Sequence, residues 1–417
     1  MSNRISVFLP FLIFLALIFL ELGCKHPTDP SSPNAPDTNW VTQPQVDISW
    51  PGLASSPWPM FLHDPQHTAR SPYRGPQLGQ VEWMFTTTGL VYPSPIIDVD
   101  GTVYVGCLRG DLFAVLPNGV QEWSVYGGGV SSAMVASDRT IYFDGNDSTG
   151  GAWLFSYDGT GHLNWKYPID VAEGYSSVLI SKDGQTIYLA SGYLYAIRKT
   201  GTLGWKMKPD STSTLHYSPA MSPDGTTLYV TSFTALNAID TSGVLKWAYR
   251  GETSDPAVDN DGNVYFGINT TTGGLCSVSK DGTVRWVAND IYWSNNYPGP
   301  VIGRDGTIYI TGHALYAVDY AGKLKWKYTM PGLSYSQCVP ATDLDGTIYF
   351  GKGTSRTPDD SLNFFALNPN GTLKFAMCLK SPDGSIPDID SPPSIGADGS
   401  VYVGSDYPHG TQLYKIK

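Results

Sequence analysis

Asp343–Gly353 reads DLDGTIYFGKG, and a respelling of the same phrase, DVDGTVYVGCL, begins at Asp98. It recurs as RTIYFDG, GQTIYLA, GTTLYVT, GNVYFGI, GTIYITG and GSVYVGS, with central tyrosines Tyr104, Tyr142, Tyr188, Tyr229, Tyr265, Tyr309, Tyr349 and Tyr402. Their mean spacing of roughly 43 residues lies in the window where internal repeats mark solenoids or propellers. Within the phrase, an Asp-Gly turn supplies the positive φ angles that a tight hairpin needs. It feeds a β-branched and aromatic run. The acidic residues of the phrase therefore read as hairpin chemistry.

Working outward, each copy sits in a unit of four short segments. The first is small and apolar, as in SPIIDVD at Ser94, SPAMSPD at Ser218, DPAVDND at Asp255, GPVIGRD at Gly299 and SPPSIGAD at Ser391. The tyrosine run is second. The third is LFAV at Leu112, repeated as LYAI, LNAI, LCSV, LYAV and LYKI. The fourth carries Trp123, Trp165, Trp205, Trp247, Trp286 or Trp326, with Phe375 in the same place in the next unit. Period-two patterning excludes a helical solenoid, and four antiparallel strands per unit is the layout of a propeller blade. The last unit stops after its third segment, while an unpartnered strand, QVEWMF with Trp83, stands before the first. Joining them pairs two otherwise open edges. The expected fold is all-β: an eight-bladed propeller over 79–417, its ring closed by an N-terminal strand that completes the last blade.

Composition agrees with short strands and tight turns, with 45 Gly, 31 Pro, 26 Tyr and 12 Trp among 417 residues and only 15% charged. A net charge of -11, with no basic cluster beyond KLKWK at Lys323, argues against nucleic acid as a partner. Outside Cys24, the four cysteines Cys107, Cys276, Cys338 and Cys378 form no CxxC or adjacent pair. They read as buried thiols, with a Cys338–Cys378 bridge as the alternative.

Residues 5–20, ISVFLPFLIFLALIFL, are short for a spanning helix and suit the apolar core of a secretion signal. The run ends in LELGCKHPTDP, where Gly23-Cys24 resembles the lipobox of bacterial lipoproteins, although Glu21 stands where that motif prefers an apolar residue. The resemblance implies a signal peptide over 1–23 and lipidation at Cys24. Residues 24–55 read as a Pro/Ser-rich tether and 56–78 as a lead-in segment. The expectation is an exported monomer held in the cell envelope by a lipid, at the outer membrane, facing the periplasm or the surface.

Taken together, the SP-[AVI], DGT-[VI]-Y, L-[YF]-A and G-x-[LV]-x-W segments resemble the pyrroloquinoline quinone-like, or quinoprotein alcohol dehydrogenase-like, propeller repeat over about four-fifths of the chain. In that family the tryptophans dock neighbouring blades, which implies the same role for Trp83, Trp123, Trp165, Trp205, Trp247, Trp286 and Trp326. The family's dehydrogenases use an adjacent cysteine pair and a Glu/Asn/Asp-held metal. Neither motif is evident here, so no cofactor, metal site or catalytic residue is expected, and an oxidoreductase is the least favoured reading. In HDPQH, His63, Asp64 and His67 suit either a metal at helical spacing or plugging contacts, and Pro65 disfavours the helix.

The remaining candidate is the channel mouth. Tyr92, Tyr175, Tyr217, Tyr297 and Tyr335 stand just before the first segments, with Ser94, Ser176, Ser218, Asp255 and Asp390 beside them, and Tyr292 and Trp293 in an insertion nearby. Such a ring either closes the propeller or binds a carbohydrate or peptide. Two functions follow: a non-catalytic scaffold for an envelope protein, resembling the propeller lipoproteins of envelope-assembly machinery, or a glycan- or peptide-binding propeller.

Overall fold

A computed structural model describes residues 39–417, apart from 109, 128–130, 172–175, 210–214, 216, 233, 270–272, 290, 292–298, 333–334, 354–359 and 408–409. Among the described residues, thirty-two strands form eight four-stranded antiparallel sheets arranged as propeller blades. Blade 1 is typical: Ile96–Ile97 innermost, then Val103–Gly106, Asp111–Val115 and the outer strand Gln121–Tyr126. The second strand of that blade is buried along its whole length because neighbouring blades cover both faces. The outer strand alternates between exposed and half-buried, since one face meets solvent.

Ring closure follows the expected route. Val81–Thr86 pairs antiparallel with Gln412–Ile416, bringing Met84 opposite Tyr414. Gln80 and Lys417 exchange backbone hydrogen bonds of 2.7 and 2.8 Å. Blade 8 is thus three C-terminal strands and one N-terminal strand.

The turn chemistry of Asp343–Gly353 is explicit. One Asp343 oxygen accepts the N–H groups of Asp345 and Thr347 at 3.0 and 2.8 Å, and the other accepts the Tyr349 hydroxyl at 3.2 Å. Asp259 with Tyr265 repeats the arrangement, and Asp98 repeats the bond to its tyrosine, Tyr104. The aspartate and the tyrosine six residues on are one device, which caps the hairpin and satisfies a buried phenol.

Every outer strand carries a β-bulge at the residue before its aromatic; in blade 1, Trp123 faces Ala114 while Gln121 faces Val115. The bulge adds local twist and swings the indole toward the next blade. Trp83, Trp123, Trp165, Trp205, Trp247, Trp286 and Trp326 each donate their indole N–H to a backbone carbonyl one blade onward, at 2.9–3.1 Å. A glycine of that next blade lies flat against each ring; a Cβ on Gly322 would fall 2.6 Å from the Trp286 ring. Gly79 meets Phe375 in the same way, so the eight contacts run around the circle.

The N-terminal segment differs from a free tether and shows what the lead-in does. Residues 39–55 dock along the face that carries the Asp-Gly hairpins: Gln43 and Gln45 donate backbone N–H groups to Asp305 and Arg304, and the Trp50 indole N–H donates to Ile180. Trp50 and Leu53 are buried, which supplies the apolar anchorage that a Pro/Ser-rich composition conceals. Residues 58–69 then cross the channel. The second residues of inner strands in six blades, Ile97, Val135, Met221, Val258, Ile302 and Thr342, donate to the carbonyls of Trp58, Pro59, Pro65, Gln66, Thr68 and Ala69 at 2.7–3.2 Å. To present carbonyls outward to a circle of strands, this plug bends tightly. Leu62, His63, His67 and Ala69 adopt φ values of 52°, 76°, 56° and 48°, a conformation costly for residues with a Cβ. Arg70, 2% exposed, ties the crossing to the docked strap by bonds to Asp47 and the Val46 carbonyl, both 3.0 Å, and to Ile302 at 3.3 Å.

Candidate functional site

With the plug at the hairpin face, the opposite mouth is the place to look for function. Its serines are committed to structure. The Ser94 N–H donates to Ser132 Oγ at 2.8 Å and its hydroxyl to the Pro392 carbonyl at 3.1 Å; Ser391 Oγ reaches back to Pro93 at 2.8 Å. Ser218 Oγ accepts the Ser177 N–H at 2.9 Å, and Ser176 Oγ donates to the Tyr217 carbonyl at 3.3 Å. These bonds stitch one inner strand to the next, so Ser94, Ser176 and Ser218 have little capacity left for a ligand. Tyr92 and Tyr217 are half-buried and Tyr335 is 39% exposed. Tyr175, Tyr297, Tyr292, Trp293 and Cys24 lie outside the described residues.

The histidine pair separates rather than converging. His63 Nδ1 faces Asp64 at 3.3 Å and its ring meets Trp58 edge-on. His67 Nδ1 donates to the Pro256 carbonyl at 3.1 Å with its ring against Phe61. Burial holds His67 down to about 4, so this imidazole is neutral within the plug.

Carboxyl groups dominate the mouth. Asp255, just before an inner strand, is 7% exposed with Oδ1 lacking any hydrogen-bond partner, and burial pushes its carboxyl up to about 8. Asp390 rises to about 7, first through burial and then through the Asp388 charge, and its Oδ1 is also unpartnered. The pattern of first segments pointed to both residues. It did not point to Asp144 or Asp406. Asp144, within Ile141–Asn146, is buried against the Ser131 hydroxyl and pushed up to about 7 by burial. Asp406, just beyond Val401–Gly404, is fully buried, and both of its carboxylate oxygens lack a partner. Burial first, and then Asp390, drives it well above the usual carboxylate range, and Tyr92 opposes the shift.

Lys352, just beyond Ile348–Gly351, is wholly buried against Asp360 and donates to the Pro331 carbonyl at 2.8 Å. The sequence does carry a signal for two of these three. Asp144 stands two residues after its repeat tyrosine, where sibling copies have Gly, Ala or Thr, and Lys352 stands three after, where they have Gly, Ser, Cys or Ile. A charge at either position has no place in the repeat's own packing, whereas Asp406, four after, falls where the siblings already vary from Gly and Leu to Asn and His.

Fold and site together define a closed eight-bladed propeller with one mouth filled by its own N-terminal segment and the other lined by buried carboxyls. The chain matches no protein-family model and no curated protein.

Proposed function

We propose that the chain is a non-catalytic binding scaffold, exported and lipid-anchored through Cys24, that engages a protein or peptide partner of the cell envelope with its unplugged mouth. The carrying observation is the asymmetry of the two faces: the hairpin face is occupied by residues 39–71, bonded to inner strands around the ring, while the other face carries carboxyls without partners. A surface that its own chain already covers is poorly suited to a partner, whereas unsatisfied buried polar groups beside half-exposed aromatics suit recognition. The strap enters at Tyr320 on the hairpin face, where the Val41 carbonyl accepts its N–H. An anchor upstream would therefore turn that face toward the membrane and leave the carboxyl-lined mouth toward the aqueous compartment. The quinoprotein-type kinship remains a likeness of repeats and contributes nothing to this reading.

A photo-cross-linking residue placed at Tyr407 on the mouth, or at Val99 on a hairpin, tests it in the full chain within intact cells. Both positions are well exposed, at 56% and 50%. Adducts are expected from Tyr407 and not from Val99; adducts from Val99 alone, or from neither, reject the proposal. Membrane release of Cys24→Ala tests the anchor separately.

A further inference from the structure

Asp390 and Asp406 face each other where blade 8 meets its neighbours at the mouth, and their chemistry is unfinished. A buried carboxylate without a donor is costly, and native folds seldom leave both oxygens of one bare. Yet the backbone fixes Asp406 in that position. Its N–H donates to the Asp388 carbonyl at 3.0 Å, the Asp388 N–H donates to the Tyr407 carbonyl at 2.9 Å, and a Cβ on Gly410 would lie 2.1 Å from the Asp406 carbonyl oxygen. The surrounding cation is already taken, since Lys352 is enclosed by Asp360 and Pro331. Among the described residues, no lysine, arginine or histidine forms an ion pair with Asp390 or Asp406.

We propose that the Asp390–Asp406 pair is the receptor for one organic cation, the guanidinium or ammonium group of an arginine or lysine side chain on the partner. This rests on the reading of the unplugged mouth as the binding face. A fork of N–H donors would satisfy at once the three carboxylate oxygens that lack partners, which is the pairing guanidinium performs best. The Tyr92 phenol acts on Asp406 from one side of the pair. Among the described residues, no three His, Cys, Asp or Glu side chains are disposed to hold a metal ion, so the negative charge suits a hydrogen-bonding cation better than a coordinated one.

Empty, the two carboxyls repel and share a proton; occupied, both ionise against the bound charge. Asp388 adds repulsion to both, Tyr92 bears on Asp406, and the Cys338 thiol, which donates to the Ser391 carbonyl at 3.3 Å, feels both carboxyls from below. Binding a cation therefore favours the ionised pair and releases the proton that the empty pair holds.

The test is calorimetry on the full chain with acetyl-Gly-Arg-Gly-amide, its lysine analogue and its citrulline analogue, each in phosphate and in Tris. The arginine or the lysine peptide is expected to bind at least tenfold more tightly than the citrulline peptide, with a buffer-dependent heat that reports proton release. Asp406→Asn and Asp390→Asn should each weaken binding tenfold or more while their circular dichroism matches the parent. Equal affinity for citrulline, no binding of either cationic peptide, or retained affinity in both variants overturns the proposal. Cross-linking from Tyr407 with no peptide binding would overturn the cation receptor while leaving the scaffold intact. Peptide binding without mouth adducts would do the reverse.

Discussion

Replacing Asp255 by Asn separates the cost of a buried charge from the need for a polar group at the channel mouth. The carboxyl rises from an ordinary 3.8 to about 8 because burial strips its water, with only the Ser218 backbone pulling the other way. Since the folded value lies above the unfolded one, the unfolded chain gives up its proton first. Stability is therefore full below about pH 4 and falls as pH rises toward 8. Each pH unit in that window costs about 1.4 kcal/mol, so moving from pH 5 to pH 7 removes at most ~3 kcal/mol through this residue alone. Asparagine keeps the shape and cannot ionise. Guanidinium unfolding should give parent and Asp255→Asn similar midpoints at pH 4.5, and at pH 8 the variant should be the more stable by ~2–5 kcal/mol with an unchanged denaturant slope. Asp144, at about 7, adds to the same trend in both proteins and leaves the difference intact. Parallel pH profiles, with the gap between the two proteins constant from pH 4.5 to 8, would refute the assignment.

Two glycines with similar backbones give an internal control. Gly322 and Gly384 have φ of 88° and 84°, but a Cβ on Gly384 meets nothing within 4 Å, whereas one on Gly322 strikes the Trp286 ring. Gly384→Ala should cost about 1 kcal/mol, and Gly322→Ala ~2 kcal/mol or more beyond that, read as melting temperatures. Arg70→Met removes one donor from Asp47 and from two carbonyls, although Arg304 still holds Asp47 and Asn260 still holds the Val46 carbonyl, and it should loosen the plug, costing ~2 kcal/mol and opening residues 39–71 to limited proteolysis that the parent resists. Cys107, Cys276 and Cys338 are buried and Cys378 is half-exposed, all as free thiols, so a chromogenic disulfide reagent should titrate Cys378 rapidly and the other three only on unfolding.

The blades were legible because each is a local pattern repeated eight times: the hairpin, the tyrosine run and the aromatic strand stand within one stretch of chain. Ring closure was legible too, through the mismatch between Trp83 and the truncated last unit. What escaped were features that exist only between distant parts. The plug has no periodicity, and its carbonyls bond to backbone N–H groups, which carry no side-chain signature. Likewise the bulge before each tryptophan leaves the residue type free, as Glu122, Asn164, Gly204 and Lys246 show. At the mouth, the first-segment residues Ser94 and Ser218 proved to be seams between blades. Asp144 was readable only as a departure from the repeat, because its seven siblings are Gly, Ala or Thr, while the position of Asp406 varies from Leu and Phe to Asn and His and carries no such signal.

The plug and the closing strand also set an order of events. The side chain of Thr87 bonds to Thr411 across a separation of 324 residues, and the segment just upstream touches inner strands around the circle. The strand around Trp83 has no neighbour along its ladder edge until the last part of the chain arrives. Blades 1 to 7 can assemble from neighbouring chain as it emerges, but the aromatic strand around Trp83 and the coil that crosses the channel must wait. Sealing is thus the final step of folding, and a chain halted anywhere before Gln412 leaves a strand edge and a hollow core exposed together, marking itself as incomplete.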